Sequence, residues 1–108
     1  MEAGTIVRHH WLTAGKLKYF VFLGYAPATH EVGCFVINTR PRYGHNQREW
    51  QLLLPFKHHK SVLKHDSYVD CSQIIRLDCD EFMASFERVG QTPTKVADVD
   101  WKKLKLLV

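Results

Sequence analysis

The run Ile37-Asn38-Thr39-Arg40-Pro41-Arg42 ends an apolar segment in one hydroxyl and two guanidinium groups. Guanidinium forks grip phosphate through paired hydrogen bonds, and a threonine hydroxyl adds a donor. His45 stands in the same polar stretch, where an imidazole can move a proton near neutral pH. Cleaving RNA needs little more: a base for the 2′-hydroxyl, charge for the pentavalent phosphate, and a proton for the leaving oxygen. On this reading Thr39 is the hydroxyl donor, Arg40 supplies charge and His45 carries a proton. The same stretch also suits binding without cutting. Arg42 and Arg48 would then hold phosphates, and Tyr43 and Trp50 would stack on bases. A plain solvated basic loop would carry the same residues.

Other chemistries find less support. His9-His10 and His58-His59 are adjacent pairs, and neighbours on a strand point to opposite faces, so each pair offers a metal one ligand at best. With no HxH, HxxxH or CxxC beside them, neither a metal site nor a cofactor is expected. Gly15-Lys16 lacks the earlier glycine of a phosphate loop, and no GxSxG is present. Cys34, Cys71 and Cys79 are odd in number and widely spaced, which reads as small buried hydrophobes rather than a disulfide framework. Charge is uneven. Residues 1–65 hold nine Lys or Arg against three acids, a net of +6, and residues 66–108 hold six against eight, a net of −2. All seven histidines also precede residue 66. A basic half of this kind suits a phosphate-bearing partner. No apolar run approaches the ~20 residues of a membrane span, and Arg8, His9 and His10 break up any signal segment, so a cytoplasmic protein is expected.

The elements that must position these groups read as short strands followed by helices. Thr5-Ile6-Val7 is β-branched, Leu17–Leu23 is aromatic and β-branched, and Val32–Thr39 stops before Pro41. In the second of these, Tyr19, Val21 and Leu23 share one face and Phe20 and Phe22 the other, so both faces are expected to be covered. Trp50–Leu54, halted by Pro55, and then Tyr68–Cys71 and Gln73–Leu77, as one last strand or a pair, complete the strands. Phe82, Met83, Phe86 and Val89 then fall at helical spacing over 80–89, with Asp78 or Asp80 as N-cap and Gly90 at the end. A second helix is expected to open at Thr92-Pro93 and to place Val96, Val99 and Lys103 on one stripe. At 108 residues this is one domain: mainly β, a small closed barrel with one or two C-terminal helices.

Read end to end, the chain resembles the MazF/PemK toxin family. Gly4-Thr5-Ile6-Val7 is similar to the family's opening "G-x-I-V", and Val36-Ile37-Asn38-Thr39 to its strand ending in "I-T". The segment from Leu63 through Ser67-Tyr68-Val69 to Gln73-Ile74 resembles "L-x-x-x-S-Y-V-x-x-x-Q-I", and Asp78, Phe82 and Val89-Gly90 follow as in the family's tail. The resemblance implies an SH3-like barrel, a homodimer, an antitoxin protein as partner, and metal-independent cleavage of single-stranded RNA. It also implies a catalytic pair. The family's hydroxyl residue maps to Thr39, and its arginine, in an "R-P" context, maps to Lys18. Lysine keeps the charge there but loses the planar fork, and no proline follows. Lys18 and Thr39 are expected to meet in one groove.

Overall fold

The computed structural model describes residues 1–11, 15–40, 50–88 and 94–107. Six strands among them form one antiparallel sheet: β1 (Thr5–Trp11), β2 (Lys16–Ala26), β3 (Glu31–Asn38), β4 (Gln51–Leu54), β5 (Ser67–Asp78) and β6 (Thr94–Lys95). Their order across the sheet is β4-β5-β3-β2-β1-β6. Helix α1 (Cys79–Arg88) runs directly on from β5, and α2 (Asp98–Leu107) follows β6. The chain is mainly β with C-terminal helices, as the sequence implied.

Alternation along the strands builds two cores. Ile6, Val21, Phe35, Ile37 and Val69 point to one side, where Leu54, Leu63, Val96 and Leu104 of α2 cover them. Val7, Phe20, Phe22, Val32, Cys34 and Val36 point to the other, beneath Phe82 of α1. Tyr19 and Leu23 join Val21 on the α2 side while Phe20 and Phe22 face α1, so both faces of β2 are covered.

The sheet is not a closed barrel. Edge strands β4 and β6 do not pair with each other among the described residues. Pro55 halts β4 after four residues, and β6 is two residues long. Neither offers the ladder that closure requires, and Val96 and Leu104 pack against the same core as Leu54. Gly4, at φ +92°, brings the backbone so close to Trp101 that a Cβ there would lie 3.4 Å from the indole.

The second helix begins later than its apolar spacing suggested. Thr92-Pro93 lies outside the described residues, Thr94-Lys95 pairs with Ile6 and Thr5, and α2 starts at Asp98. Val96 is buried ahead of the helix, between β6 and α2, so the stripe counted from it was out of register. Val99 and Lys103 are exposed, and α2 buries Asp100 and Leu104 instead. At α1 the Asp78 carboxylate accepts from the Glu81 amide at 3.0 Å and caps the helix as expected. β1 runs past Val7 to Trp11, because His9 turns inward against the rings of Phe20 and Phe82. β5 is one continuous strand, with a register shift opposite Cys34 and Val36.

Candidate functional site

One end of the sheet gathers the last residues of β1, the first of β2, the last of β3 and the first of β5. The register places Arg8 opposite Tyr19, Tyr19 opposite Ile37 and Asn38 opposite Tyr68. On the α2 side this end holds a pocket of about 260 Å³. Arg8, Tyr19, Thr39, Lys64, His65 and Ser67 line it, and Leu17 and Leu63 add apolar walls. Two cations, one imidazole and three hydroxyls therefore share one concavity.

The loop between β4 and β5 is braced where it enters the pocket. The Phe56 amide donates to Asp66 Oδ1 at 2.7 Å, and the Ser67 hydroxyl donates to the His65 carbonyl at 3.3 Å. His65 Nδ1 lies 3.0 Å from the Asp66 carbonyl oxygen. A carbonyl only accepts, so Nδ1 carries the proton, and in the neutral ring Nε2 keeps its lone pair. An imidazole in that tautomer can act as a base through Nε2.

Lys18 and Thr39 do not meet in one groove. Leu17 and Tyr19 face the pocket, so alternation turns Lys18 to the α1 side, where its Nζ donates to Asn38 Oδ1 at 2.7 Å. Arg8, opposite Tyr19 on β1, occupies the pocket instead. Arg40 is exposed just beyond Thr39, and Trp50 is exposed at the entry to β4. Arg42, Tyr43, His45 and Arg48 lie outside the described residues.

Sequence reasoning missed Arg8, Lys64, His65 and Ser67 as pocket residues. Only the β1–β2 register and the fold-back of 63–67 bring them to Thr39, and neither can be read from local spacing. It also gave His59 no core role. That ring is 2% exposed, with Nδ1 donating to the Pro55 carbonyl at 2.9 Å and Nε2 accepting from the Ala97 amide at 3.0 Å. His58 beside it reaches the buried Asp100 carboxylate at 2.9 Å. On the α1 side Asp70, 1% exposed, accepts from the Gln51 amide at 2.9 Å and from the backbone and hydroxyl of Ser72. Among the described residues no three His, Cys, Asp or Glu side chains converge as a metal ion would need, and no helix is long and apolar enough to cross a membrane. Compared with family models, with curated proteins and with solved structures, the chain matches none of them.

Proposed function

We propose that this chain is an RNA-directed protein, a metal-independent endoribonuclease of the toxin kind, whose site is the basic pocket. The observation that carries this reading is the convergence of Arg8, Thr39, Lys64 and His65 on one concavity of about 260 Å³. His65 Nε2 would take the 2′-hydroxyl proton as that oxygen attacks the neighbouring phosphorus. Arg8 and Lys64 would offset the charge gained by the phosphoryl oxygens, and the Thr39 hydroxyl would donate to one of them. The leaving 5′ oxygen takes its proton from solvent at the pocket mouth. Tyr19 and Leu17 offer an aromatic and an apolar surface to an unstacked base, which favours single-stranded over duplex RNA. The excess of basic residues before residue 66 and the similarity of the segment around Ser67-Tyr68-Val69 to the MazF/PemK pattern support the same reading. A cytoplasmic location, a homodimer and an antitoxin partner belong to it as further proposals.

One observation favours a second reading, a module that binds nucleic acid or a partner peptide without cutting. Lys18, at the place of the family's arginine, faces away from the pocket and is bonded to Asn38. Incubating the chain with a long, weakly structured RNA in EDTA separates the two. Cleavage that survives EDTA and is lost in Arg8→Ala supports the nuclease. RNA that is bound and left intact moves the conclusion to the binding module. Cleavage that needs a divalent ion, or that ignores Arg8→Ala, rejects the proposed site.

A further inference from the structure

At the end of the sheet opposite the basic pocket, the α2 face carries a groove across β2, β3 and β5. Its volume is about 390 Å³, within the ~300–1,000 Å³ of small-molecule sites. The groups that build it share one face. Leu23 packs on the α2-side core. Glu31 and Gly33 lie on the same side of β3 as Phe35 of that core, by alternation. On β5, Ile75 and Leu77 pack toward α1, so Ile74 and Arg76 turn to the groove. A register shift after Phe22 sets Gly24 opposite Gly33, and Gly33 stands opposite Arg76. Two adjacent glycines therefore form the floor, and Ile74 beside them is 54% exposed.

The two glycines have different reasons. At Gly33 a Cβ would lie 3.2 Å from Ile74, so packing asks for the missing side chain. At Gly24 a Cβ would meet nothing within 4 Å, and its φ is not positive. Glycine weakens a strand interior, and where neither packing nor backbone demands it, the vacancy suits the close approach of a ligand.

The charges say what kind of ligand. Glu31 stands opposite Asp78 and Gly33 opposite Arg76, so Glu31 and Arg76 are diagonal neighbours, a relation that sets residues about 7–8 Å apart. Among the described residues neither side chain makes an ion pair or a side-chain hydrogen bond. Asp78 is already engaged, accepting from the Glu81 amide. A wholly apolar ligand would strip water from both charges and replace none of it, and a phosphate would meet the Glu31 carboxylate. A carboxylate and an ammonium on one carbon satisfy both groups. We propose that this groove binds a free amino acid with a large apolar side chain. Arg76 donates to the ligand's carboxylate, Glu31 accepts from its ammonium, and its side chain lies over Gly24 against Leu23 and Ile74.

The test titrates the full chain with L-phenylalanine, read by calorimetry and by backbone amide NMR. The expected result is saturable one-to-one binding that shifts the Gly24 and Gly33 amides and leaves those of Tyr19 and Thr39 in place. Phenylpropanoate lacks the ammonium and phenethylamine lacks the carboxylate, and each should bind on the order of ten-fold more weakly, the worth of one hydrogen bond to a charged group. Glu31→Gln should weaken L-phenylalanine and spare phenylpropanoate, and Arg76→Gln should weaken L-phenylalanine and spare phenethylamine. Gly24→Leu fills the floor and should abolish binding. No saturable binding at millimolar L-phenylalanine, shifts centred on the basic pocket, equal affinity for the three compounds, or an affinity that Gly24→Leu leaves unchanged overturns the proposal. The three compounds compared on the unaltered chain decide the matter whatever the variants do to folding.

Discussion

At the scale of single residues, two histidines show how neighbours assign a role. His65 gives one nitrogen to the Asp66 carbonyl, which in the neutral ring leaves the lone pair on the other. His65→Ala should slow RNA cleavage on the order of a hundred-fold, the range of a lost general base. Thr39→Val keeps the shape, removes only the hydroxyl and should also slow it. Lys18→Ala, on the far side of the sheet, should change the rate by less than either. Single-turnover rates on one RNA check the three together, and a larger effect at Lys18 than at His65 would shift the site to the α1 side. His59 has both nitrogens bonded in the core. His59→Ala leaves the Pro55 carbonyl and the Ala97 amide without partners and opens a cavity. Urea unfolding should show a loss of about 2–5 kcal/mol.

At the scale of elements, His30 clasps the β2–β3 turn to α1. Its folded pKa lies above the 6.5 of an ordinary histidine because Asp80 bonds and attracts the protonated ring. The clasp therefore contributes in full below pH 6.5 and is lost as pH rises through the folded value. Melting temperature should fall slightly across that window, and Asp80→Asn should flatten the fall. A wild-type profile as flat as that of the variant would show that the clasp contributes no stability. The strands make a complementary statement through their thiols. Burial pushes Cys34 on β3 up to about 12, and burial with the nearby Asp70 charge does the same to Cys71 on β5. In native protein at pH 8 a thiol reagent should leave both unmodified, and both should react once urea unfolds the sheet. Rapid labelling of Cys34 without denaturant would mean that β3 opens locally.

For the whole molecule, one sheet with two covered faces leaves its two ends as the places where chemistry can be exposed. The basic end carries the pocket with Arg8, Lys64 and His65, and the hairpin end carries the groove with Gly24, Glu31 and Arg76. RNA affinity at the basic end should fall steeply with salt, since each phosphate contact releases condensed counterions. Arg8→Ala should lower the slope of log K against log salt by about 1, uniformly across RNA sequences. A slope unaltered by Arg8→Ala, read by fluorescence anisotropy, would place the nucleic acid elsewhere on the surface.

The strands were legible in the sequence because period-two burial leaves its mark directly. Tyr19, Val21 and Leu23 separated from Phe20 and Phe22 on the two faces of β2, and Phe82 at helical spacing marked α1. β6 was hidden because two residues carry no periodicity, and the onset of α2 was misplaced because Val96 is buried without being helical. Of the candidate pocket only Thr39, at a strand end in a basic, histidine-rich half, was legible. Which groups share a pocket depended on β1 pairing with β2, on which way each strand residue turns, and on the path of the 63–67 loop. Those are long-range facts. A one-residue offset sends a side chain to the opposite face, and that placed Lys18 beneath the sheet and Arg8 beside Thr39.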